Sequence, residues 1–91
     1  MKHFLVKAMI LKILRERGRT VGTEIELQNG IADLVDVDNS IVYEIETNLT
    51  KEKIFQKIRN YQAAKDIFFI DTRENPDDLN EAEKYLRQKV I

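Results

Sequence analysis

Three short strand-like runs, separated by two turn signals, constrain this chain more than any other feature. Residues 20–28 alternate apolar and polar side chains, which is typical of a half-buried strand. Asn29-Gly30 follows, and this dipeptide is the strongest short hairpin signal. Residues 31–37 and 41–47 predict two further strands on either side of a turn at Asp38-Asn39-Ser40. The sequence therefore predicts a three-stranded antiparallel meander.

Helices and one more strand are predicted around the meander. They are a helix over 2–17, a helix over about 51–65 capped by Thr50, a buried strand over 66–72, and a last helix that starts at Asn75-Pro76-Asp77-Asp78. The order of elements is αβββαβα. A helix that crosses from the third strand to the fourth predicts a mixed sheet with helices packed on it.

Length and composition exclude several classes of protein. A chain of 91 residues predicts a single domain over residues 1–91. The chain has no cysteine, and His3 is its one histidine, so disulfides, cysteine metal sites and multi-histidine zinc sites are excluded. We expect His3 to be a surface residue and not a ligand. No apolar run is long enough to cross a membrane, so no membrane partner and a cytoplasmic location are expected.

The charge is balanced overall but clustered locally. A net charge of −1 argues against a strongly basic nucleic-acid clamp. Local basic groups still allow phosphate contacts, because binding depends on local charge. The candidates for nucleic-acid contact are Arg15, Arg17, Arg19, Lys53 and Lys57. The alternative interpretation of each is a solvated helix face.

Three acidic residues fall within the predicted second and third strands. Glu44 and Glu46 are two residues apart, so they project from one face of the sheet. A two-residue loop at Asn39-Ser40 places Asp33 opposite Glu46, whereas a loop at Asp38-Asn39 places Asp33 opposite Glu44. A three-residue loop would turn Asp36 to this face instead. We favour a two-residue loop, and hence a face that carries Asp33, Glu44 and Glu46.

Carboxylates on neighbouring strands repel one another, by up to about 1 kcal/mol per directly opposed pair. A divalent cation would compensate this repulsion, and Mg²⁺ prefers oxygen ligands. Such an ion lowers the pKa of a bound water and holds phosphate oxygens, which are the requirements of phosphodiester hydrolysis. The alternative is a solvated strand face without a metal.

The run from Gly30 to Val35, followed by Glu44-Ile45-Glu46-Thr47, resembles the core of the PD-(D/E)XK nuclease superfamily, which includes archaeal Holliday junction resolvases and restriction enzymes. The resemblance covers nearly the whole chain, since the family core is also αβββαβα. It implies a restriction endonuclease-like fold with a mixed four-stranded sheet flanked by helices. It also implies that Asp33 and Glu44 ligate Mg²⁺ or Mn²⁺.

The resemblance assigns further roles and shows departures. Glu24 matches an accessory acid, with Glu16 a weaker candidate, and Gln56 and Tyr61 resemble the glutamine-tyrosine motif of RecB-like members at a spacing one residue longer. Core packing is the preferred interpretation of Tyr61. Ala32 stands where many members have proline.

The largest departure is Glu46, which occupies the family's lysine position. Glu46 would then be a third metal ligand or would orient the attacking water. The catalytic lysine would come from the following helix as Lys53 or Lys57, as in some members. The alternative is a degenerate copy without activity.

These observations predict a metal-dependent DNA endonuclease. The competing hypotheses are a catalytically degenerate nucleic-acid- or protein-binding module and a structural domain with solvated acids. Nucleases of this group often pair to cut two strands. A homodimer is therefore expected, with the last helix or the Phe68-Phe69 strand as its contact area.

Overall fold

A computed structural model describes residues 1–27 and 29–90. Its elements follow the predicted order, with one short 3₁₀ turn added before the last helix. They are α1 (His3–Glu16), β1 (Val21–Leu27), β2 (Gly30–Asp36), β3 (Ile41–Glu46), α2 (Lys51–Asn60), β4 (Asp66–Asp71), the 3₁₀ turn (Thr72–Glu74) and α3 (Leu79–Lys89). The protein is therefore an α/β fold with three helices and a mixed four-stranded sheet.

The four strands lie in the order β1-β2-β3-β4. The first three form the antiparallel meander. β4 pairs with β3 in parallel, from Ile41 opposite Asp66 to Glu46 opposite Asp71. A parallel neighbour requires a crossover, and α2 provides it. This crossover brings the lysines of α2 back toward the acidic strand β3.

Two apolar clusters lie in the core, one of them built around α1. The α1 cluster consists of Val6, Ile10, Ile13, Leu14, Leu34, Ile41, Tyr43, Ile45, Ile70, Leu86 and Val90. The smaller cluster consists of Ala32, Val35, Val42 and Tyr61. Tyr43 belongs to the α1 cluster and stacks on Phe68 with ring centroids 5.5 Å apart. Strand residues alternate in direction, which places Glu44 opposite to Tyr43.

The predicted end of α2 near residue 65 is wrong. The helix ends at Asn60, because Tyr61 turns inward and its hydroxyl donates to the carbonyl of Ile31. Tyr61 is only 2% exposed. Its predicted role in core packing is confirmed. The free energy gained by burying the Tyr61 side chain outweighs the free energy that a longer helix would give.

The predicted start of the last helix is also wrong. Asn75 has an extended backbone, and α3 begins three residues later than Pro76, at Leu79. The cap is Asp78, whose carboxylate accepts a hydrogen bond from the backbone N–H of Glu81. Gly30 lies in β2 opposite Leu27 and not in the turn.

The register between β2 and β3 selects one of the two predicted two-residue-loop alignments. Leu34 lies opposite Tyr43 and Asp36 opposite Ile41, which is the alignment of the Asp38-Asn39 alternative. Extended by one residue, it brings Asp33 to the level of Glu44. Asp36 is directed away from the acids and is bonded to Arg19 and Asn39 instead.

We predict that Thr50→Ala lowers the free energy of unfolding by about 1 kcal/mol, because it removes the cap of α2. The Thr50 hydroxyl accepts a hydrogen bond from the backbone N–H of Lys53 at 3.2 Å. Urea unfolding measures the change. Thr50→Ser, which keeps the hydroxyl, is the control and should lose little. Equal losses in both variants would contradict the capping role.

Candidate functional site

Asp33 and Glu44 join β2 to β3 where the backbone ladder between these strands ends. The backbone N–H of Asp33 donates to Oε2 of Glu44 at 3.0 Å, and the backbone N–H of Ile45 donates to Oδ2 of Asp33 at 2.9 Å. Each carboxylate thus accepts a backbone bond that a regular antiparallel pair would give to a carbonyl oxygen. The structure therefore brings together the two acids that the resemblance assigns to the metal.

The ladder between β1 and β2 is interrupted at the same level. Thr23 pairs with Leu34 and Ile25 pairs with Ala32, but Glu24 and Asp33 between them do not pair. Glu24 has a φ of +50°, a left-handed conformation that is uncommon outside glycine. Strand pairing on both sides of Asp33 is therefore irregular, and its carboxylate takes part in the bonding between strands.

Lys57 of α2 contacts the buried Glu44 carboxylate. The side chain of Glu44 is 1% exposed, and its Oε1 lies 3.0 Å from Nζ of Lys57. Burial raises the pKa of Glu44 above its ordinary value. Burial by itself lowers the pKa of Lys57, but the hydrogen bond and charge of Glu44 outweigh it, so this pKa is raised. Lys57 therefore stays cationic beside Glu44.

Tyr61 completes this side of the site. Nζ of Lys57 lies 5.7 Å from the centroid of the Tyr61 ring, which is the range of a cation–π contact. Burial, followed by the neighbouring Glu44, raises the pKa of Tyr61 to about 12. The Tyr61 hydroxyl therefore stays protonated and donates to Ile31 at 3.0 Å. A Cβ atom on Gly30 would lie 3.1 Å from this hydroxyl, so little room exists there for a side chain.

Glu46 and Lys53 form a second, looser acid–base pair. Oε2 of Glu46 lies 3.7 Å from Nζ of Lys53, and both side chains are partly exposed. The Lys53 ammonium also donates to the carbonyls of Thr47 and Asn48, at 3.3 Å and 3.2 Å. Lys53 thus stabilises the loop that leaves β3, while Lys57 is the lysine that reaches Glu44.

His3 is a site neighbour that the sequence-based prediction missed. Its Nε2 lies 3.5 Å from Oδ1 of Asp33, and its side chain is 45% exposed. The imidazole comes from the first turn of α1, thirty positions before Asp33 in the chain. No spacing rule connects these two positions, so only the packing of α1 against the meander reveals the contact.

The remaining predicted site residues point elsewhere. Glu24 contacts Nζ of Lys7 at 2.6 Å, Arg17 donates to the carbonyls of Val90 and Arg87, and Arg19 donates to Asp36. Arg15, Gln56 and Glu16 are exposed, and Glu16 contacts Arg87. Arg17 is thus bound to the C-terminal end of α3 and Arg19 to Asp36, while Glu24 pairs with Lys7 and not with a residue of the acidic site.

The donor chemistry of the two central acids fits a hard divalent cation. Asp33 is 24% exposed, and its Oδ1 faces outward from the bond to Ile45. Glu44 would join as a ligand by exchanging the Lys57 ammonium. Within residues 1–27 and 29–90, no three carboxylate or imidazole groups already converge as a metal centre. Mg²⁺ commonly takes one or two carboxylates and completes its shell with water and phosphate oxygens, which this arrangement suits.

No family model matches the chain, and neither the curated proteins nor the solved structures include a match. Among the helices in the described part of the chain, none is long and apolar enough to cross a membrane.

We predict that Lys57→Met costs about 3 kcal/mol of unfolding free energy, because it leaves the Glu44 charge buried without its cation. The same substitution in a Glu44→Gln background should cost much less, with a coupling of about 1–3 kcal/mol. Urea unfolding of the four proteins measures the cycle. Lys51→Met, an exposed position on the same helix, is the matched control. A coupling near zero would contradict the ion pair.

We predict a pH-dependent effect of Glu44→Gln. Because the pKa of Glu44 is raised above 4.5, the folded protein holds the proton of the Glu44 carboxyl group more tightly than the unfolded chain does. This contribution to stability is fully present below the unfolded pKa and is lost as the pH rises through the folded pKa. The glutamine variant does not titrate, so its stability relative to wild type should increase from about pH 4 to about pH 7. Urea unfolding at both pH values measures this difference, and a constant difference would contradict the prediction.

Proposed function

We propose that this protein is a metal-dependent DNA endonuclease with a restriction endonuclease-like core. The observation that supports it best is the Asp33–Glu44 pair with Lys57 held at 3.0 Å from Glu44. The resemblance calls for two acids and a lysine at one point, and Glu46 stands where the lysine is usual. Lys57 supplies the missing cation from the following helix. The order of strands and helices also agrees with the resemblance.

The distribution of charge suits a phosphodiester substrate. Each acid of the site has a basic partner from a helix, His3 for Asp33, Lys57 for Glu44 and Lys53 for Glu46. A phosphate group that approaches the acids would thus meet the ammonium groups of Lys53 and Lys57 on the side of α2. The acids alone would repel it.

The roles of the residues follow from these contacts. When bound, Mg²⁺ or Mn²⁺ supplies an activated water and neutralises charge on the phosphate. Asp33 and Glu44 would hold the ion, and Glu46 would orient the attacking water and accept its proton. The Lys57 ammonium would stabilise the extra negative charge of the transition state. As the water oxygen bonds to phosphorus, the bond to the leaving sugar oxygen would break, and that oxygen would take up a proton from solvent.

DNA as the substrate and a homodimer as the active form belong to the same proposal. Phe55 and Ile58 of α2 are exposed large apolar side chains and are candidates for contact area between copies. Phe68, by contrast, packs against the α1 cluster. The cytoplasm is the expected location.

A second function, a binding module without catalysis, is favoured by one feature of the same site. Both oxygens of Glu44 already have partners within the chain, the N–H of Asp33 and the ammonium of Lys57. If Lys57 does not leave, Glu44 cannot bind an ion, and the basic groups would then serve only to contact nucleic acid or an acidic protein.

We predict that the protein cleaves a four-way junction, a linear duplex or a supercoiled plasmid in millimolar Mg²⁺ or Mn²⁺. Asp33→Asn and Lys57→Met should each lower the rate by about 100-fold or more, since each removes a group that stabilises charge. Asp33→Asn keeps an oxygen that accepts the Ile45 N–H, so the strands stay joined. Asp38→Asn, an exposed acid in the next turn, is the matched control.

Gel assays of cleavage and of binding separate the two functions. Cleavage that Asp33→Asn leaves unchanged would contradict the assignment of the site. Binding of DNA without cleavage, in the presence of either ion, would favour the binding module. If the protein neither binds nor cleaves DNA, both proposals are contradicted.

A further inference from the structure

A cavity of about 130 Å³ lies against the smaller apolar cluster of the core. Its wall includes Val35, Val42 and Tyr61 of that cluster. Leu27 and Ala64, which pack against the same cluster, add to this apolar lining. Protein interiors contain few voids larger than a water molecule. Because one water needs only roughly 10–15 Å³, this cavity is much larger than an ordinary packing gap.

The segment that follows α2 leaves this space unfilled. After Tyr61, it lines the cavity with the small side chains of Ala63 and Ala64. The helix itself, which the structure describes throughout, has no buried residue and contributes Asn60 alone to the lining. The space is therefore bounded by large apolar side chains of the sheet and by small side chains of the segment above it.

The cavity is open to solvent and carries a few polar groups. Ser40 and Ala63 line it and are exposed, and Asn60 is half-buried. The Tyr61 hydroxyl donates to the carbonyl of Ile31, so the hydroxyl of Ser40 and the amide of Asn60 are the polar side-chain groups that remain for a ligand. An apolar wall with a small number of polar groups is the usual composition of a small-molecule pocket.

We propose that this cavity binds one small, largely apolar molecule that consists of a single six-membered ring with at most one polar substituent. An apolar cavity of about 150 Å³ stays dry and binds benzene, and the volume of about 130 Å³ suits a molecule of that size. Water would lose hydrogen bonds against the apolar wall, whereas a ring would remove its own apolar surface and that of the wall from water. Two fused six-membered rings exceed this space.

The proposed ligand site is distinct from the acidic site, although Tyr61 belongs to both. Tyr61 lines the cavity, and its ring centroid also lies 5.7 Å from Nζ of Lys57. Binding of an apolar ring requires neither the acids nor a metal ion. The inference therefore does not depend on the proposed nuclease activity.

Calorimetry with phenol as the probe tests the inference on the full chain. Wild type should bind phenol with a dissociation constant of roughly 1 mM or less. Glycerol, which is polar, and 2-naphthol, which is larger, should each bind about tenfold more weakly or less. Ala64→Leu fills the cavity and should weaken phenol binding by about tenfold or more. Ala8→Leu, the same substitution at an exposed alanine of α1, is the matched control and should leave phenol binding unchanged.

Nuclear magnetic resonance of wild type locates the bound ring without any substitution. Phenol should shift the amide signals of Val42, Tyr61 and Ala64 and leave those of α3 unchanged. Thermal unfolding gives a third readout, because a ligand that binds only the folded state raises the midpoint. Phenol should raise the midpoint of wild type but not that of Ala64→Leu, and a cooperative transition of this variant without phenol shows that it folds.

The outcomes separate this inference from the nuclease proposal. Phenol binding that folded Ala64→Leu retains in full, or amide shifts confined to α1 and α3, would overturn the cavity as the site. A wild-type protein that does not bind phenol at about 10 mM would overturn it as well. Asp33→Asn should bind phenol like wild type, so phenol binding without DNA cleavage supports this inference and contradicts the nuclease alone.

Discussion

The bonds between the Asp33 and Glu44 side chains and the strand backbones are the feature on which the other site contacts depend. Where β2 and β3 cease to pair directly, these carboxylates accept the N–H groups of Asp33 and Ile45. This solution satisfies backbone donors that would otherwise be unpaired. It also places a carboxylate at a position that is almost wholly buried. A buried charge is costly unless it is paired and hydrogen-bonded, so the site requires a cation.

The crossover helix meets this requirement at the expense of its own packing. No residue of α2, all of which the structure describes, is fully buried, yet the helix carries Lys57 to Glu44 and Lys53 to Glu46. Desolvating two charges offsets much of their attraction, so the ion pair by itself adds little to stability. Functional sites often contain charged groups that lower the local stability of the fold. An exchangeable charge pair of this kind fits the binding site proposed above.

Much of the fold follows from short-range sequence patterns, and most of the site does not. Alternation and turn signals predict the meander, but they leave two registers open, and the structure has the one that aligns Asp33 with Glu44. The sequence indicates Lys53 and Lys57 equally, because both are on the same helix face, one turn apart. Only the placement of α2 shows that Lys57 reaches Glu44. The contact of His3 with Asp33 joins distant parts of the chain, and the end of α2 at Asn60 goes with a contact between the Tyr61 hydroxyl and Ile31, thirty positions earlier.

The chain topology also places the acids and the lysines of the site on different kinds of element. The acids belong to a meander of neighbouring strands, whereas Lys57 belongs to the crossover that links β3 to its parallel neighbour β4. Closing a long loop has an entropic cost that non-local contacts must outweigh. The cation comes from a helix without buried residues, so its contact with Glu44 depends on few core contacts of α2. An ion that takes its place would keep the strands joined through Asp33 and free the lysine for a phosphate.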